Sequence, residues 1–100
     1  MEEYYFEQSQ ANTCVRFVDI QSMDEVMQLF GVFDENLQVI ESETGAHIKV
    51  EADRIKVTGS QEAVDLAATV MDKLFAMIRR REGIDRSRIR YAIDLAKEGN

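Results

Sequence analysis

From Ser60 to Arg80 the apolar residues Ala63, Val64, Ala67, Val70, Met71, Leu74, Phe75 and Ile78 recur at steps of three and four. That spacing lines them up along one side of an α-helix. Nothing else in these 100 residues constrains the fold as strongly. A helix with so broad an apolar stripe needs a surface to bury it against, and the remaining segments must supply one. Ser60 is placed to cap its start and Gly83 to close it.

The segments before it read as follows. Thr13 to Asp19 is β-branched and aromatic with rough alternation, a strand pattern. Ser22-Met23-Asp24-Glu25 is a capping box, in which the serine accepts the Glu25 amide and the glutamate reaches back. Val26, Met27, Leu29 and Phe30 give the short helix that follows its apolar face, and Gly31 stops it. A second helix starts at Asp34, a good N-cap, and runs to about Thr44. Leu37, Ile40 and Glu41 lie on its successive turns, and Gly45 ends it. His47 to Glu51 and Arg54 to Thr58 alternate apolar and polar residues around a tight Ala52-Asp53 connection, which predicts a hairpin. Asp85 caps a last helix in which Ile89, Ala92, Ile93 and Ala96 share a face. The order is strand, helix, helix, strand, strand, helix, helix. It predicts an α+β fold in which helices cover one face of a three-stranded antiparallel sheet.

Composition narrows the function classes. With 45% hydrophobic and 31% charged residues the chain suits one soluble core. The acidic N-terminus is unlike a signal or transit peptide, and no apolar run approaches a bilayer span, so no membrane role is expected. One cysteine, Cys14, and one histidine, His47, cannot make a disulfide or a zinc ribbon, which suits a reducing cytoplasm. No proline is present, and no repeat or stiff linker divides the chain. Residues 1–12 read as a loose extension, residues 13–80 as the domain, and residues 84–100 as an added helix. In the extension Tyr4, Tyr5 and Phe6 can pair as an edge strand or dock on a second copy, so a homo-oligomer stays open.

Charge is segregated. The net charge is −7, yet Arg79 to Arg90 carries six arginines against Glu82 and Asp85, a local +4. Two readings stand. Arg79, Arg80, Arg81, Arg86, Arg88 and Arg90 could contact phosphates, guanidinium groups being suited to that geometry. Alternatively, the first three offset a helix dipole and the others pair with the acidic remainder. Catalysis finds little to work with. His47 reads as a half-exposed strand residue, Cys14 as a small core residue, and the carboxylates as solvated helix faces. No phosphate-binding glycine loop occurs.

The run Leu29-Phe30-Gly31-Val32-Phe33-Asp34-Glu35-Asn36-Leu37 through Ile40, with Thr44-Gly45-Ala46-His47-Ile48 after it, resembles the centre of a KH domain, an RNA-binding fold. Gly31, Leu37, Ile40, Gly45, Ala46 and Ile48 fall at that family's spacing, and Val57-Thr58-Gly59-Ser60 resembles its last strand and helix entry. The resemblance implies the eukaryotic-type order β-α-α-β-β-α, plus an extra C-terminal helix here. It also implies a Gly-x-x-Gly loop that holds nucleic acid through closely approached amides. Here that loop is Gly31, Val32, Phe33 and Asp34, a degenerate version. A carboxylate at Asp34 repels phosphate, and as an N-cap it would occupy the helix-terminal amides. Val32 and Phe33 are expected to fold back onto the core as a staple. The methionines, notably Met71 and Met77, are expected to be core filler.

The same segment, with Ile55-Lys56-Val57-Thr58-Gly59 and the closing Ile89-Arg90-Tyr91-Ala92-Ile93-Asp94-Leu95-Ala96-Lys97, resembles the N-terminal region of PhoH-like proteins. In that family a KH-like domain precedes a P-loop ATPase domain. The resemblance implies a non-catalytic accessory domain whose final helix leads toward an ATPase domain beyond Asn100, so that ATP and magnesium are implied only for that absent domain. It implies no cofactor in this chain. Single-stranded RNA is then the expected partner, through the six arginines with Lys49 and Lys56 as helpers on the hairpin. The alternative is a protein-interaction or oligomerisation module that keeps the KH shape without touching nucleic acid.

Overall fold

The computed structural model describes residues 13–99. The N-terminal extension with Tyr4, Tyr5 and Phe6 lies outside the described residues. Within them the chain forms β1 (Cys14–Asp19), α1 (Met23–Phe30), α2 (Glu35–Thr44), β2 (His47–Glu51), β3 (Arg54–Gly59), α3 (Gln61–Arg79) and α4 (Arg86–Lys97). A single 3-10 turn, Val32–Asp34, joins α1 to α2.

The sheet has the order β1-β3-β2, antiparallel throughout. Its register explains the alternation in the sequence. Val18 pairs with Ile55, which pairs with Val50, and Val57 pairs with Ile48, and these rows face the helices. The odd rows, Val15-Thr58-His47 and Phe17-Lys56-Lys49, point to the opposite face. Val15 and Phe17 are exposed there, and the Arg54 guanidinium lies 3.7 Å from the centre of the Phe17 ring. The Ala52-Asp53 turn is made with Ala52 at φ 57, a backbone more often given to glycine or asparagine.

The stripe from Ser60 to Arg80 folds as one helix. Ser60 accepts the Ala63 amide at 3.1 Å, and Ala67, Val70, Met71 and Leu74 are fully buried. Below it lies the sheet, with α1, α2 and α4 against its other sides. Its far end departs from expectation. Gly83 does not close the helix. The chain turns at Arg81, with φ 64, where Arg81 N–H donates to Ile78 O and Glu82 N–H to Met77 O, both at 2.9 Å. These are the two bonds of a Schellman motif, with arginine in the left-handed position usually given to glycine. Replacing Arg81 by glycine is therefore expected to raise stability by about 0.5–1 kcal/mol, read as a shift of the urea midpoint at constant slope.

Two other local expectations are corrected. Ser22 does accept the Glu25 amide at 3.2 Å. The Glu25 carboxylate, however, takes the Arg79 guanidinium at 3.1 Å instead of reaching back. A charge-assisted bond to a two-pronged guanidinium outcompetes one neutral amide. Asp34 is not a side-chain N-cap. Its φ of 59 turns it left-handed, and it makes no capping hydrogen bond.

The last helix belongs to the core. Ile89, Ala92 and Ile93 are buried with the rest, and Asp85 accepts the Arg88 amide at 2.8 Å as its cap. No helix among the described residues is long and apolar enough to cross a membrane.

Candidate nucleic-acid interface

The junction between α1 and α2 is built from Gly31 outward. Gly31 has φ 82, a backbone that strains any other residue, and a Cβ there would lie 2.6 Å from the Asn36 side chain, which would have to shift. After it the backbone turns left-handed twice in succession, at Phe33 (φ 53) and Asp34 (φ 59). Asp34 N–H donates to Gly31 O at 3.1 Å. The turn throws its side chains outward. Val32 and Phe33 are 69% and 90% exposed, which corrects the expectation that they staple the core. Leu29, Phe30 and Phe33 share a helical spacing on paper, but Gly31 breaks the phase before Phe33 is reached.

At the other end of α2 the Thr44-Gly45-Ala46 corner is tied tightly. Buried Thr44 donates its hydroxyl to Ile40 O at 2.7 Å and accepts the Ala46 amide at 3.2 Å. Gly45 turns left-handed, and the Glu41 carboxylate accepts the Ile48 amide at 2.9 Å. Glu41 thus joins α2 to the edge strand β2, which corrects the reading of its carboxylate as part of a solvated helix face.

Between α1, the turn, the start of α2, Val50 of β2 and Ile84–Arg86 runs a groove of about 850 Å3. Met23 and Met27 of α1 border it, and both are exposed, so they are not the core filler expected of the methionines. Met71 and Met77 are. Asp34, Glu35 and Asp85 give its rim an acidic character, with Arg86 the single base.

Five of the six arginines are engaged by carboxylates. Arg79 holds Glu25, while Arg80 and Arg88 converge on Glu82, each at 2.8 Å. Along the seam between α4 and α2, Arg86 meets Glu35 at 3.2 Å, and Arg90 and Lys97 both meet Glu43 at 3.1 Å. Hydrogen bonds from Arg90 and then Lys97 hold the Glu43 carboxyl below its ordinary range. Arg80 does the same most strongly for Glu82, and Glu43 in return raises Arg90. Lys56 approaches Glu51 at 3.8 Å. Arg81 and Lys49 make no ion pair among the described residues. His47 is exposed on β2, and Cys14 donates weakly to Gln61 at 3.4 Å. Among the described residues no three His, Cys, Asp or Glu side chains converge as metal ligands.

A family model for the KH domain matches residues 23–73, from the first residue of α1 into the middle of α3. This chain belongs to the KH domain family. The KH match takes in the Gly31 turn, the hairpin and the groove except for its Ile84–Arg86 side. Over 79 residues the chain is also 30% identical to a PhoH-like protein of Bacillus subtilis (strain 168). The match takes in 79% of this chain and 25% of that protein, so the chain spans about a quarter of the relative's length. Among solved structures, the first KH type I domain of human vigilin superposes with a TM-score of 0.63 at 23% identity. That match covers 73% of this chain and 82% of the vigilin domain. A chain from the a/eIF2alpha–aDim2p–rRNA complex of Pyrococcus horikoshii OT3 superposes at 0.68 with 20% identity, covering 87% of this chain and 49% of that one. These structural likenesses establish the fold: a three-stranded KH sheet under helices, with a further helix at the C-terminal end.

The Gly31–Asp34 turn lies between α1 and α2, inside the stretch that the KH model matches. The left-handed backbone at Asp34 is glycine-like even though the residue is not. Sequence reasoning missed the exposed Phe33 and the Arg54–Phe17 stack. The signal for the first was available in Gly31, whose phase break any face drawn across it ignores.

Proposed function

We propose that this KH domain is the non-catalytic accessory domain of a PhoH-like protein, contributing RNA contacts in the cytoplasm to an ATP-driven partner domain. The observation that supports the reading is the 30% identity to a PhoH-like protein over 79 residues, on a chain that also matches the KH model. ATP and magnesium belong to the P-loop domain of such a protein.

The contact rests on the charges that the fold leaves available. Arg81 and Lys49 have no ion pair among the described residues, and Arg80 and Arg88 share one carboxylate. Exposed ion pairs are weakened by solvent screening, so one of those two arginines is released to a phosphate at little cost. About three phosphates are then engaged. For single strands each contributes about −0.7 to the slope of log affinity against log salt, giving a slope near −2. Titrating a fluorescent single-stranded RNA across a salt series tests this. Binding should be weak, with that shallow slope, and should fall at least about tenfold when Arg80, Arg81 and Arg88 become alanine. Absence of binding even at low salt would overturn the reading.

A further inference from the structure

Seven large apolar side chains stand exposed among the described residues, and four of them border the groove beside the Gly31 turn. They are Met23 at 52%, Met27 at 67%, Val32 and Phe33. Scattered exposed apolar residues are ordinary, whereas this concentration is not. Phe33 is the extreme case, and the backbone that presents it is strained. Two consecutive non-glycine residues in left-handed conformation cost on the order of 1–2 kcal/mol each. Such strain clusters at ligand clamps and functional turns.

The charge around these side chains selects the ligand. Asp34, Glu35, Asp85 and the one base Arg86 line the groove; the Arg86–Glu35 pair at 3.2 Å cancels, which leaves Asp34 and Asp85 as the surplus negative charge. A nucleic acid fits half of this surface, because bases could stack on Phe33 while the phosphates meet carboxylates. A ligand with apolar side chains on one face and lysines or arginines beside them fits all of it. Methionines suit such a surface, since their flexible, polarizable side chains repack around whatever lies against them.

We infer that the groove is a docking site for a basic amphipathic segment of a partner protein, held by Phe33, Val32, Met27 and Met23 and oriented by the acidic rim. The mode is that of a helix or extended peptide laid in an apolar groove. It goes beyond the RNA contact proposed above, which uses Arg80, Arg81, Arg88 and Lys49, none of which lines the groove.

The test uses a fluorescein-labelled 16-residue Leu/Lys amphipathic peptide, read by anisotropy, with amide chemical shifts of the labelled protein recorded in parallel. Two comparison peptides run alongside: one with the lysines replaced by glutamate, and one with the same composition scrambled to abolish the apolar face. The Leu/Lys peptide should bind at least about tenfold tighter than either comparison, with shifts concentrated in residues 23–36. Phe33→Ala combined with Met27→Ala should weaken it about tenfold or more, while Tyr91→Ala, an exposed aromatic on α4, should leave it unchanged. Because all three substituted side chains are exposed, the variants should fold as the parent does. Equal affinity for the scrambled peptide, or shifts spread over the whole acidic surface, would overturn the proposal as mere charge attraction. So would displacement of the bound peptide by single-stranded RNA with the same residues shifted, which would return the groove to nucleic acid. Self-association of the protein abolished by the double variant would overturn it in favour of a second copy. Loss of RNA binding alone leaves these outcomes untouched, so the two readings fail separately.

Discussion

Ile93→Ala is expected to cost about 2–5 kcal/mol, and removal of α4 altogether to leave a chain that does not fold cooperatively. Ile89 and Ile93 are fully buried, and Ala92 between them lets α4 lie close against α3. Deleting three methyl-sized groups from Ile93 loses their transfer energy and leaves a cavity in a packed interior. The ionic ladder to α2 cannot compensate. Arg86, Arg90 and Lys97 are exposed, and solvent screening leaves such pairs with little effect on stability. A domain of this size has on the order of 5–13 kcal/mol in hand, so loss of the whole helix exceeds it. Urea unfolding monitored by far-UV circular dichroism checks both. A cost below about 1 kcal/mol for Ile93→Ala would mean that α4 is a detachable extension rather than part of the core.

Much of this fold is legible in the sequence because periodicity and burial agree. The α3 stripe is legible because its apolar steps continue unbroken for five turns, and the hairpin because Ile48, Val50, Ile55 and Val57 alternate on both sides of a two-residue turn. Caps at Ser22, Ser60 and Asp85 are legible because a short polar side chain at a helix start has one strongly favoured use. What cannot be read is set by backbone choices that leave no compositional trace. Arg81 and Asp34 adopt conformations that their residue types disfavour, and the surrounding packing decides the matter. The site suffers most from this. Phe33 looks like a core residue in any helical projection and stands in solvent because Gly31 resets the phase. Likewise the six arginines form one basic run in sequence, yet the fold gives five of them a carboxylate drawn from four different glutamates. A charge run is informative about place and uninformative about availability.

Asp34→Gly is expected to raise affinity for single-stranded RNA by about tenfold or more at low salt. Two separate causes contribute. The carboxylate sits at the mouth of the groove, and a phosphate about 4 Å away is repelled by about 1 kcal/mol in water and about 4 at an effective dielectric of 20. The position is at the surface, so the lower end governs; about 1 kcal/mol gives about fivefold, and closer backbone approach supplies the rest of the tenfold gain. Glycine also removes the side chain from a φ of 59 and lets a phosphate approach the turn's amides closely. Asp34→Asn separates the two, because asparagine tolerates the left-handed region and carries no charge. If Asn and Gly give equal gains, charge alone closed the loop; a gain with Gly only would make close backbone approach decisive. No gain with either would place the RNA path away from Gly31–Asp34. Both substitutions should act in the opposite direction on a basic peptide in the groove, since each deletes one of its three rim carboxylates. A loop that gains RNA and loses peptide through one carboxylate would be a KH clamp converted to a protein-binding edge, with Asp34 as the residue that made the change.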